Sequence, residues 1–170
     1  FTPVNLYAVY AAERFGLTMA GYGHYIAATY ACSLVLAYPL GWLADRVHPL
    51  RLAIATSALY GAAMVAAYLG VDGPRSFGWA LLVHGVLSGC YFTGAAALGQ
   101  MLFPKMKFAQ FASAAGLVFG LGNLVFGPAL GLVLDWLGHD YRYTFAAGGL
   151  LALAAVLAYL VVHRRFMALG

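Results

Sequence analysis

Apolar runs long enough to cross a bilayer recur from one end of this chain to the other, separated by short clusters of charged and turn-forming residues. A hydrocarbon core of about 30 Å takes roughly 20 helical residues to span. Five complete spans are predicted, at about 19–44, 50–70, 77–103, 109–137 and 143–163. Residues 1–12 read as the outer end of a sixth helix, closed by the polar step Glu13-Arg14. The fold class expected is therefore all-α, a polytopic transmembrane helical bundle. Composition agrees, with 64% of residues hydrophobic and only 8% charged, far below the quarter or so that is usual in soluble domains. The chain, 1–170, reads as one transmembrane domain. It opens at Phe1, inside an apolar segment and without methionine, and is expected to be a fragment of a longer protein. No basic start followed by a small-residue cleavage site marks a signal peptide.

The sparse charges orient the spans. The connections at 45–49 and 104–108 and the C-terminal tail must share a side, and with them go Arg46, Arg51, Lys105, Lys107, Arg164 and Arg165, six of the nine basic residues, beside one acid, Asp45. The other side holds Arg14, Arg75 and Arg142 with Glu13, Asp72, Asp135 and Asp140. Basic residues concentrate on the cytoplasmic side of membrane proteins, so the first group is expected there, in a cell (inner) membrane. The net charge of +4 is accounted for by this asymmetry, and no nucleic-acid partner is expected. Cys32 and Cys90 fall inside apolar runs with no partner at metal-ligand spacing, and read as packing residues. The five histidines are scattered with no His-x-x-x-His pairing. No metal, cofactor or enzymatic centre is expected.

Between the second and third runs stands Gly41-Trp42-Leu43-Ala44-Asp45-Arg46-Val47-His48-Pro49-Leu50-Arg51. Asp45, Arg46 and Arg51 sit badly in hydrocarbon, so the chain must leave the membrane and re-enter almost at once. The segment resembles the signature loop of the major facilitator superfamily, roughly Gly-x-Leu-Ala-Asp-Arg-x-Gly-Arg-Arg, found between the second and third helices of a six-helix half. The match covers Gly41, Leu43, Ala44, Asp45 and Arg46. His48 replaces the usual glycine, Pro49 and Leu50 replace the first basic residues, and Arg51 supplies the later positive charge. Gly127-Pro128-Ala129-Leu130-Gly131 is similar to the Gly-Pro-x-x-Gly element of the fifth helix in antiporters of the family. Pro128 removes a backbone donor, and either a pivot or a plain packing kink is open there. Gly116, Gly120, Gly127 and Gly131 fall in two four-residue steps, where small residues let backbones approach.

The resemblance implies a transporter with two pseudo-symmetric six-helix halves, in which the first, second, fourth and fifth helices of a half line the cavity and the third and sixth support them. The polar residues are spread in the same way. His84, Ser88 and Tyr91 share one face of the fourth span, while Tyr22, Tyr25, Thr29 and Ser33 form a stripe on the second. Asn5 and Tyr7 in the first helix and Asn123 in the fifth complete the candidates. Asn5, Tyr25, Thr29, His84, Ser88, Tyr91 and Asn123 are taken as the residues for solute contact. The alternative is that they bond to neighbouring helices and hold the bundle together. Tyr22 is the one best read as an interfacial aromatic.

Gly41, Asp45, Arg46, Arg51, Gly127, Pro128 and Gly131 are the residues expected to govern conformation. Asp45 is expected to latch onto the positive N-terminus of the fifth helix, near Ala109 and Gln110, and a nearby arginine when the cytoplasmic gate is closed. No carboxylate lies in mid-span, so a proton, if coupled, would travel on His84 or on an acid elsewhere in the protein. The fourth span also lacks the embedded arginine common in the N-terminal half of proton-coupled antiporters. That absence, with the headless start and short tail, favours the C-terminal half, although the Gly-Pro element is commoner in the N-terminal one. The expected function is secondary active or facilitative transport, as symporter or antiporter, of a small polar solute by alternating access. The expected partners are that solute, the lipid bilayer and the missing half. The competing class is a non-transporting receptor or scaffold of the same fold.

Overall fold

The computed structural model describes residues 4–168, with the side chains of residues 4, 5, 44 and 166–168 excepted. It is all helical among those residues: α1 Val4–Phe15, α2 Met19–Arg46, α3 Pro49–Gly70, α4 Pro74–Leu102, α5 Phe108–Trp136 and α6 Tyr143–Ala168, with a single 3-10 turn at Lys105–Lys107 before α5. Among the described residues five helical segments are long and apolar enough to cross a membrane: Met19–Leu43, Pro49–Gly70, Pro74–Leu102, Lys105–Trp136 and Tyr143–Arg165.

The ends of these helices follow from local chemistry. The Thr18 hydroxyl accepts a hydrogen bond from the Gly21 N–H at 3.1 Å and caps α2. Proline stands in the first turn of α3 and α4, where its fixed φ suits helix entry and its missing N–H has no partner to lose. Pro74 starts α4 three residues before the expected 77. The Ser76 hydroxyl accepts from the N–H of Gly73 at 3.0 Å and of Asp72 at 3.1 Å, holding that entry. At the end of α5, Gly138 and His139 both take positive φ, 70° and 61°. The His139 N–H reaches back to the Leu134 carbonyl at 2.9 Å, and so supplies a helix end with one of its missing donors.

Two contacts define the two ends of the bundle. At one end a guanidinium N–H of Arg142, after α5, donates to the Val71 carbonyl, after α3, at 3.1 Å. The same end gathers Glu13 and Arg14 of α1 with Asp140 and Tyr141. Partial burial, and then the Glu13 carboxylate, raise the Tyr141 phenol above its ordinary range. At the opposite end residues 45–49 lie against Ala97, Gln100 and Met101 at the foot of α4.

An aromatic core extends inward from the end that holds Glu13 and Arg142. Tyr7, Tyr10, Tyr60, Met64, Phe77 and Phe145 are almost completely buried and come from α1, α3, α4 and α6. Tyr10 meets Phe77 edge-on at 5.6 Å, and Tyr7 lies 5.2 Å from Phe145, within the range where aromatic pairs attract. Helix α3 packs on α4 on one side and on α6 on the other. A β-carbon at Gly61 would already meet that of Ala152 at 3.3 Å, so the α3–α6 seam depends on small residues.

Burial among the described residues is uneven across the five spans. Helix α3, expected as a lipid-facing support, is the most buried of the five spans, while α2 and α5 are the least. Thr56, Ser57, Tyr60 and Met64 of α3 all turn inward. Helix α5 stands largely apart, with Leu134 its one buried residue among those described.

Candidate functional site

The polar stripe of α2 lies along α4. A β-carbon added at Gly78 would fall on the ring of Tyr25, and one at Gly85 on the methyl of Thr29. At Gly89 it would come to 3.6 Å of the Ser33 hydroxyl. Tyr25, Thr29 and Ser33 thus advance one helical turn at a time over a row of α4 glycines. Thr29 is 7% exposed, and its hydroxyl donates to the Tyr25 carbonyl of its own helix at 2.9 Å. That bond satisfies the hydroxyl locally and leaves the methyl to pack against Gly85.

His84 sits behind this seam, 6% exposed. Its Nδ1 is 2.8 Å from the Tyr60 hydroxyl of α3, and its ring meets that of Tyr7 edge-on at 5.1 Å. Which of the first two carries the shared proton depends on the ring tautomer. Tyr91, two turns further along α4, shares a hydrogen bond of 2.8 Å with the Tyr159 hydroxyl of α6. Ser88, between them in sequence, is half-buried. Through these bonds His84 turns toward α3 and Tyr91 toward α6. Replacing Tyr60 by phenylalanine is expected to cost about 1 kcal/mol of stability, the scale of one hydrogen bond between membrane helices. Thermal unfolding in detergent measures it, and the same substitution in a His84→Leu background should then cost much less.

Asn123 is in different surroundings. It lies near the middle of α5, is exposed, and donates at 3.2 Å to the Phe119 carbonyl one turn back. Beside it a cleft of about 520 Å³ opens between α5 and α6, walled by Phe119, Phe126, Leu130 and Leu150. Gly116, Gly120, Gly122, Gly127 and Gly131 have nothing within 4 Å of where a side chain would begin. Pro128 is carried inside α5 without ending it, as Pro39 is in α2. The side chain of Asn5 lies outside the described residues.

The charged loop is a tight link. Helix α2 ends at Arg46, Val47 is extended, and α3 begins at Pro49. The guanidinium of Arg46 lies 4.1 Å over the Trp42 ring, a cation–π contact worth about 0.5–1 kcal/mol at an exposed site. Asp45 is exposed, and its carboxylate has no salt bridge with another described residue. Gly41 is open, with nothing within 4 Å of its would-be side chain, and Arg51 is exposed in the first turn of α3. A recess of about 410 Å³ lies between the loop and the foot of α4. The expected latch partners Ala109 and Gln110 are exposed in the first turn of α5.

Tyr60, Tyr159 and the α4 glycines were not anticipated. Tyr60 and Tyr159 lie in spans dominated by aliphatic residues. Gly78, Gly85 and Gly89 carry no chemistry and become visible only through what lies across from them.

A polytopic bundle with five membrane-length helices among the described residues, a two-residue link flanked by charged residues and a glycine-based helix seam defines an integral, multi-pass membrane protein. The family model described as Major Facilitator Superfamily matches residues 1–168. The chain belongs to that family, whose members carry out membrane transport. No curated protein and no solved structure matches it.

Proposed function

We propose that this chain forms one six-helix half, by our reading the C-terminal one, of a transporter that moves a small polar solute by alternating access, with a second half covering α2 and α5. The observation that carries this reading is Asn123. A carboxamide in mid-span with one bond to its own helix is costly to leave in hydrocarbon, and polar groups at such depth ordinarily face protein or a watery cavity. The open glycines on α5 give the covering surface room to approach closely.

In this reading the solute passes over α4 and α5 near Ser88 and Asn123. Tyr25, Thr29, His84 and Tyr91 hold the wall that carries them. Loop 45–49 and the basic tail face the cytoplasm of the cell (inner) membrane, as the charge asymmetry favours. Uptake of labelled sugars, organic acids and cationic drugs into vesicles holding the whole protein tests the proposal. Saturable uptake of at least one class, reduced severalfold by Asn123→Ala, is expected. Binding without uptake would instead favour a receptor.

A further inference from the structure

The cleft between α5 and α6 is built almost wholly of hydrocarbon. On α5, Phe119, Asn123, Phe126, Leu130 and Val133 recur at three- and four-residue steps and so present one face, and Leu150 of α6 lies across the cleft from them. Asn123 is the one polar side chain in the lining, and no charged residue borders the space among those described. Phe119, Phe126 and Leu150 are more than half exposed, so the other described residues leave much of their surface uncovered. At about 520 Å³ the cleft is within the range of sites that take a small organic molecule.

The carboxamide is oriented by its own bond. The Phe119 carbonyl can only accept, so the atom that meets it at 3.2 Å is the Asn123 amino nitrogen. The amide oxygen is left with no partner among the described residues, and one N–H remains beside it. A single hydroxyl, which both donates and accepts, matches that pair. An ionised solute in this lining would lose its hydration with no opposite charge to replace it. A sugar would bring several hydroxyls to one carboxamide, and each one left unpaired is costly.

We propose that the α5–α6 cleft binds an uncharged solute with an apolar ring body and a single hydroxyl, the ring against Phe119 and Phe126 and the hydroxyl on Asn123. The inference rests on the reading that Asn123 contacts solute, and it places that solute at the least polar end of its class.

The test uses the whole protein in lipid nanodiscs at pH 7, with three probes that share one ring system: 2-naphthol, 2-methoxynaphthalene and 2-naphthoate. Equilibrium dialysis of the labelled probes, with empty nanodiscs subtracted, measures saturable binding. 2-Naphthol is expected to bind saturably, the methoxy compound about tenfold more weakly for want of the donor, and the carboxylate not measurably. Asn123→Leu should bring 2-naphthol down to the level of its ether and leave the ether unchanged. Leu150→Trp, made at an exposed position, should fill the cleft and remove binding of both. Equal affinity for 2-naphthol and its ether, tighter binding of 2-naphthoate, or native affinity in Leu150→Trp overturns the inference. So does an absence of saturable binding, the result expected if lipid chains or a helix of the other half fill the cleft. Vesicle uptake separates this failure from that of the transport reading. Binding of 2-naphthol without uptake leaves the site standing and overturns its place in transport. Saturable uptake of a sugar or organic acid, with no binding of 2-naphthol, leaves transport standing and overturns the site.

Discussion

Gly85→Val is expected to prise α2 from α4 and to be the most damaging single substitution in the membrane-spanning region. The first carbon it adds lands on the Thr29 methyl, and the branched remainder has no free volume to enter. Overfilling a packed seam costs about 1–3 kcal/mol where neighbours can shift. Here the neighbour is a short β-branched side chain on a helix, with two χ1 rotamers open to it and its hydroxyl already bonded to the Tyr25 carbonyl. Gly85→Ala should show the smaller end of that range, and Thr29→Ser, which removes the obstructing methyl, should restore part of it. Gly99→Val on the same helix is the control, because its β-carbon would meet Phe103 at an ordinary 3.8 Å. Monodispersity and thermal unfolding of the four variants in detergent measure the effect. Equal behaviour of Gly85→Val and Gly99→Val would show that the seam is not a close approach.

The second large effect is expected at Asp45. Its carboxylate sits at the C-terminal end of α2, where the helix dipole disfavours negative charge, and it stands exposed. Such a placement is best explained if the charge is used in another conformation, against the N-terminus of α5 at the same end of the bundle. A charge-assisted hydrogen bond contributes about 1.5–3 kcal/mol, so Asp45→Asn should shift the population toward the inward-facing state by about tenfold or more. Transport should slow, and cytoplasmic cysteine accessibility should rise, with Asp45→Glu retaining part of the native behaviour. Native rates and accessibility in Asp45→Asn would leave the residue as a topological anchor alone.

The spans were legible because the bilayer dictates their length and leaves charge only at their ends. The loop at 41–51 was legible because its charges have nowhere else to go. Packing was much less so. The small-residue rule was applied to α5, whose glycines have nothing within 4 Å of a would-be side chain, while glycines that join helices lie elsewhere, Gly61 in the α3–α6 seam and Gly78, Gly85 and Gly89 on α4. The rule states that small residues permit close approach, and it does not state which helix approaches. The α2 stripe was found for the right reason, shared helical spacing, yet spacing does not distinguish a face turned to a cavity from one turned to a neighbour. Tyr25 and Thr29 face that neighbour. His84 likewise gave no sign in sequence that a tyrosine 24 positions earlier would reach it.

The central claim is that solute moves over the uncovered faces of α4 and α5 and not through the α2–α4 seam. Cysteines placed singly at Asn123 and at Thr29, in the background without native cysteines, test it in vesicles of both orientations. The account predicts that the cysteine at 123 reacts with an impermeant reagent from each side in turn as the solute gradient is reversed, with saturating solute protecting it, while the cysteine at 29 stays silent. Solute-protected labelling at 29, with none at 123, would contradict it.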